Sequence, residues 1–189
     1  MKTENTTMYH FRANDPFDQN WVVGNRFSVG NKFRNSLCCD VKPIDKNLPR
    51  IEQKIEYYKL LKDCETMFNI RETMLELFRS TKYPDLISRM NCVYFCDEQS
   101  ILYWANMFPQ NYELYKVIIS GELFKSCPKF FADIERGATF EKIEKIADGY
   151  WNPNFMDAQY NYFAEYLFNN GTIEIVDKLN PQKVRDRYK

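Results

Sequence analysis

Three stretches of this 189-residue chain carry side chains whose types and spacing suit chemistry. MYHFR holds the single histidine, His10, followed by Phe11 and Arg12. Cys92 to Ala105, CVYFCDEQSILYWA, reads as a short β-run through Tyr94 that ends on Asp97, then a helix start bearing Tyr103 and Trp104. Phe163 to Val176, FAEYLFNNGTIEIV, sets one carboxylate, Glu165, inside an apolar run. A carboxylate fixed beside a developing positive charge stabilises a transition state more than the ground state. Aromatic faces hold a flat cationic ring by stacking and cation–π attraction. Arg12 follows His10 by two residues, so a strand would point both to one side, where a guanidinium suits a pyrophosphate. Arg89, beside Ser88, is a second such arginine. Each residue also has a plain reading: a satisfied polar histidine, a core Tyr94, packing by Tyr103 and Trp104, a solvated Glu165, an ordinary surface arginine.

The elements that must position these groups follow from the pattern. Aromatics at 16% and hydrophobic residues at 44% point to a folded globule, and the length suits one domain spanning residues 1–189. Met1 to Thr7 reads as a loose tail and Met8 to Arg12 as a short strand, bounded by the turn formers Asn14, Asp15 and Pro16. Asp15 to Asn47 reads as a long packed loop with one or two short strands. Residues 51–80 form a helical segment without Gly or Pro. Ile51, Ile55, Tyr58 and Leu61 recur at helical spacing, as do Met67, Ile70, Met74, Leu77 and Phe78, which fits one long helix or two consecutive ones. Cys92 to Cys96 is a strand, followed by a helix from about Glu98 to Met107 with Asp97 as its N-cap. Tyr112 to Ile119 is a second strand, running on past Gly121 to Phe124. Phe140 to Ala147 is a helix, with Gly149 at its C-terminal end. Tyr162 to Phe168 and Thr172 to Leu179 read as two strands joined by a hairpin turn at Asn169-Asn170-Gly171. The fold class is α+β, helices early and strands late.

Composition removes several function classes. Lys+Arg and Asp+Glu both number 26, so no broad positive field marks a general nucleic-acid binder. No apolar run reaches the roughly 20 residues of a membrane helix, and the polar start lacks a secretion signal's apolar core. A cytoplasmic setting, or delivery into a host cytoplasm, is the expectation. There most of the six cysteines would be free and buried. No CxxC occurs, and one histidine cannot supply a Cys/His zinc pattern, so no metal is expected. The glycines form neither G-x-G-x-x-G nor GxxxxGK[ST], which excludes a dinucleotide fingerprint and a phosphate loop of those kinds.

The set His10, Tyr94, Glu165, in that order, resembles the His-Tyr-Glu branch of the ADP-ribosyltransferase superfamily, which holds diphtheria toxin and poly(ADP-ribose) polymerase. VYFCD resembles that branch's IYFAD-type strand, SILYWA its serine-and-tyrosine helix at a spacing one or two residues shorter, and AEYLF its NEYIV-type glutamate strand. With Arg89 and Pro84, the likeness extends to small bacterial or phage domains of uncharacterised function in that superfamily. The resemblance implies a split β-sheet core with NAD in a cleft between half-sheets and a helical segment inserted after the first strands. It further implies that His10 orients NAD on the adenosine-side ribose and that Tyr94 stacks on the nicotinamide, with Tyr103 or Trp104 closing the other side. Glu165 would bind the 2′-hydroxyl of the nicotinamide ribose. Phe11 stands where many members have a small residue that helps clamp the nicotinamide. Phe163 stands where arginine-modifying members carry a second glutamate. The acceptor is therefore open: another protein side chain, a nucleic-acid base, or water.

Three readings compete. The first is a mono-ADP-ribosyltransferase or NAD glycohydrolase, a toxin, phage or defence effector, with Asp15 to Asn47 as a lid over NAD. The second is an inactive module of the same fold that binds NAD, ADP-ribose or a protein. The third is an interaction protein that docks through the helical segment, marked by an exposed apolar second face there. The first carries a sharp condition: His10, Tyr94 and Glu165 must line one cleft. Glu165 on the sheet face opposite His10 would sink it.

Overall fold

Alternating and β-branched residues dominate the strands, and they join one five-stranded antiparallel sheet with helices packed on it. The computed structural model describes residues 1–13, 20–30, 33–35, 38, 41–63, 66–108, 111–132, 134–135, 137–152, 154 and 158–187. In chain order the elements are β1 (Lys2–Ala13), β2 (Arg26–Val29), α1 (Arg50–Asp63), α2 (Met67–Lys82), β3 (Val93–Phe95), α3 (Ile101–Met107), β4 (Tyr112–Ser126), α4 (Lys129–Ala132), α5 (Phe140–Trp151), β5 (Glu165–Leu179) and α6 (Pro181–Asp186). The strands run β1-β4-β5-β2, and β3 pairs with the first half of β5 while β2 pairs with the second. Tyr9 and Cys96 exchange backbone hydrogen bonds of 2.9 Å each way, which returns β3 to β1. The pairings β1, β4, β5, β3 thus form a ring.

Side chains of all four ring strands converge on an inner core that includes Met8, Phe95, Val117, Phe168 and Ile173. The outer face carries two further cores. One joins Leu167 and Phe124 to α2 and α5, and the other joins Tyr9 and Leu114 to α3 and α6. Helix α2 is buried almost all round, from Ile70 to Phe78. Its Thr66 caps it by accepting from the Asn69 N–H.

The α+β class stands as expected, and so do the strands at Val93 and Tyr112; of one long helix or two consecutive ones, the chain forms two. Several boundaries differ, each for a physical reason. Residues 2–7 are no tail: they pair with the far end of β4, Lys2 opposite Glu122, and the Met1 ammonium donates to the Leu123 carbonyl at 3.0 Å. A long partner strand recruits this threonine-rich stretch, since pairing satisfies its backbone. Asn169-Asn170-Gly171 is not a hairpin turn but a bulge within the single strand β5. Asn170 does take the positive φ (50°) its type permits, but β4 runs alongside both halves, so the chain bends without reversing. A Cβ on Gly171 would sit 2.2 Å from the Ser120 carbonyl oxygen. Only glycine fits there. Tyr162 and Phe163, expected to begin a strand, instead close a 3-10 turn over Ala158–Phe163, and β5 starts at Glu165. Gly149 lies inside α5 rather than beyond it, with the Phe130 ring against the place of its missing side chain. Asp97 caps the turn leading to α3, accepting from the Ser100 N–H at 2.9 Å, so the helix starts at Ile101.

Asn14, Asp15 and Pro16, read as turn formers, lie outside the described residues. The described parts of the following loop are fastened: Trp21 packs in the inner core, and the Asn35 N–H donates to the Met90 carbonyl at 2.9 Å. Cys38, Cys92, Cys96 and Cys127 are free and buried, while Cys39 and Cys64 lie outside the described residues.

Candidate functional site

Glu165 opens β5 opposite Ser126, and strand alternation sends its side chain to the outer face along with Leu167. There it is buried and meets the Arg89 guanidinium and the Tyr150 hydroxyl, both of which donate to its Oε1. Arg89, held in a 3-10 turn that Ser88 caps, is itself 4% exposed. Its Nε and Nη2 form a two-point bond with Glu72 of α2, at 2.6 and 3.0 Å. Burial disfavours its charge, but the Glu165 and Glu72 carboxylates prevail and hold the guanidinium protonated well above its ordinary range. Burial raises the Tyr150 hydroxyl well above the usual phenol value, and the Glu165 charge adds to the shift. The result is a closed ionic centre of Glu72, Arg89, Tyr150 and Glu165.

Tyr94 borders this centre. Its ring lies 4.9 Å from the Arg89 guanidinium carbon, and its hydroxyl donates to the Arg89 carbonyl at 3.1 Å. Tyr103 approaches from α3, meeting Phe163 edge-on at 5.0 Å. Burial lifts its hydroxyl's pKa, with smaller contributions from Cys127 and Glu165. Trp104 donates from Nε1 to the Ala164 carbonyl at 2.9 Å, tying α3 to the start of β5. So the structure gathers Arg89, Tyr94, Tyr103, Trp104 and Glu165 on one side.

His10 and Arg12 are elsewhere. His10 points to the inner face, where its ring stacks on Trp21 at 4.1 Å and meets the edge of Phe95 at 5.7 Å. Its Nδ1–H donates to the backbone carbonyl of Tyr94 at 2.8 Å, which is its tie to that residue. Arg12 follows it, 5.9 Å from the Trp21 ring centre, as the two-residue spacing requires. Phe11 goes the other way and stacks on Phe108. The single cleft expected for His10, Tyr94 and Glu165 is therefore not formed: His10 and Glu165 occupy opposite faces of the ring of strands. The cause is strand parity. The Tyr9–Cys96 bridge puts Tyr9, not His10, on the face shared by Tyr94 and Glu165.

Sequence reasoning missed Glu72 and Tyr150. Glu72 sits on the helix side opposite the Ile70–Met74–Phe78 stripe, where periodicity reads a solvated residue; α2 is buried on that side too. Among the described residues, the surface clefts of about 300 Å³ beside Ser88 and about 240 Å³ beside Glu98 are not lined by His10, Tyr94 or Glu165. Among the described residues no group of three or more His, Cys, Asp or Glu is placed to hold a metal ion. No described helix is long and apolar enough to cross a membrane.

Fold and site together define an α+β protein with a closed ionic centre between sheet and helices. The chain belongs to the family described as "Protein of unknown function (DUF2441)", whose model matches residues 8–181. No curated protein matches it.

Proposed function

We propose that this chain is a catalytically inactive, protein-binding module on an ADP-ribosyltransferase-like core. The observation that carries the binding role is on α1. Ile51, Ile55 and Tyr58 face solvent, while Gln53 and Tyr57 turn inward and the Tyr57 hydroxyl donates to the Ala138 carbonyl at 2.6 Å. The kinship in fold is supported by the three resembling segments, which lie on neighbouring strands with the Tyr94 strand between those of His10 and Glu165. Inactivity is supported by the state of the glutamate. A carboxylate whose Oε1 is already taken by Arg89 and Tyr150, with His10 behind the sheet, offers a ribose hydroxyl no more than its other oxygen.

The test pairs two measurements on purified protein. Nicotinamide release from NAD, with and without cell lysate, is expected to be absent for wild type and for Glu165→Gln alike. Surface labelling of Tyr58 is expected to fall in concentrated extract relative to dilute pure protein. Release that depends on Glu165, or unchanged labelling, overturns the reading.

A further inference from the structure

Helix α1 displays a stripe that is complementary to itself. Ile51, Ile55 and Tyr58 are 70%, 49% and 41% exposed, and their i, i+4, i+7 spacing lines them on one helix face. Beside that stripe, on a single flank, lie Glu52 near the N-terminal end and Lys59 one heptad later. The other flank is already spent on the protein's own α5: Arg50 pairs with Glu144 and Lys54 with Glu141. Lys59 is bonded to Glu56 of its own helix, at 2.7 Å, and both side chains are more than 40% exposed, so that pair is readily exchanged.

We propose that the partner of this surface is a second copy of the chain, with two α1 helices packed antiparallel about a two-fold axis near Ile55. This rests on the protein-binding reading above and names its partner. One register pairs the apolar stripe and its charged flank together. Ile51 meets Tyr58 of the second copy, Ile55 meets its counterpart, and Glu52 meets Lys59 of the second copy, each pair occurring twice by symmetry. The antiparallel arrangement also sets each helix's positive end beside the other's negative end. A parallel pairing sets each apolar residue on its counterpart but leaves Glu52 and Lys59 without a mate. One helix per copy buries less than the roughly 800 Å² per partner of a standard interface, so the dimer is weak and concentration-dependent.

Sedimentation velocity of the full chain from about 1 to about 500 µM reads the equilibrium directly. Wild type shifts from monomer to dimer across that range. Ile55→Glu, at a half-exposed position that leaves the circular dichroism spectrum unchanged, stays monomeric. Glu52→Lys and Lys59→Glu each weaken dimerisation several-fold at low salt, and the double reversal restores it. Monomer throughout, a dimer indifferent to Ile55→Glu, or a double reversal no better than the singles overturns the inference. Failure here is distinct from failure of the functional reading: nicotinamide release would sink that reading and leave the dimer intact.

Discussion

The two faces of the strand ring solve the same problem, a polar group among apolar neighbours, in different ways. On the outer face Glu165 is sealed under α2 and α5 and satisfied by a charge partner, Arg89, which needs a second carboxylate, Glu72, on its other edge. On the inner face His10 makes a backbone hydrogen bond to Tyr94 and packs its ring against Trp21 and Phe95. The first arrangement is an interlocked set in which each member is costly to lose. The second is a packing arrangement in which the histidine is nearly replaceable. Buried charge is tolerated only when paired and hydrogen-bonded, and that requirement ties the members of the outer centre to one another.

The sharpest way to break this contrast is Arg89→Met. It keeps the volume and removes the cation that the two carboxylates share, leaving Glu165 without that charge partner and Glu72 with the neighbouring Arg71 at 3.4 Å. Breaking a buried pair costs about 3–5 kcal/mol, a large share of a domain's stability. Urea unfolding is expected to show that loss, and Arg89→Met combined with Glu72→Gln and Glu165→Gln to recover part of it. A loss under about 1 kcal/mol would mean that water reaches the centre and that the two faces do not differ as described.

How much of this was legible beforehand depends on the kind of interaction. Strand and helix positions from Ile51 to Phe124 follow from periodicity, because burial of one face imposes the spacing. Glu165 stood out for a local reason, a carboxylate inside an apolar run. What the sequence could not supply was its partner. Arg89, Glu72 and Tyr150 lie 76, 93 and 15 residues away, and only the three-dimensional path of the chain brings them together. Parity failed at His10 for the same reason. Which of Tyr9, His10 and Phe11 faces outward is fixed by the register with β3 and β4, and a one-residue difference in register inverts every side chain. The bulge at Asn169 to Gly171 misled because positive-φ residues serve bulges and hairpins equally.

On the inner face, Trp21→Ala removes the largest ring against His10 and leaves a cavity, at about 3 kcal/mol. His10→Phe keeps the stack and forfeits the bond to the Tyr94 carbonyl, for about 1 kcal/mol. Thermal unfolding separates them. A His10→Phe loss as large as that of Trp21→Ala would show that the histidine anchors β1 to β3, and would erase the distinction between the faces.

The smallest effect lies where the helix layer meets solvent, and it shows how far ionic pairing matters once water is present. Glu144 of α5 accepts from Arg50 of α1 and also pairs with Lys82 of α2, so its carboxyl falls from the ordinary 4.5 to about 2, against the opposing pull of burial. A carboxyl depressed on folding stabilises above its unfolded pKa, and that contribution is lost as pH falls from about 4.5 towards 2. Arg50 and Lys82 are both more than a third exposed, so screening reduces the full value of the shift to about 1 kcal/mol. Glu144→Gln is expected to cost that much in urea at pH 7, little at pH 2, and less at pH 7 in molar salt. The Arg89 centre, shielded from water, should show no such salt dependence. Equal salt sensitivity of Glu144→Gln and Arg89→Met would place both in the same dielectric and remove the difference between a sealed ionic centre and a wet one.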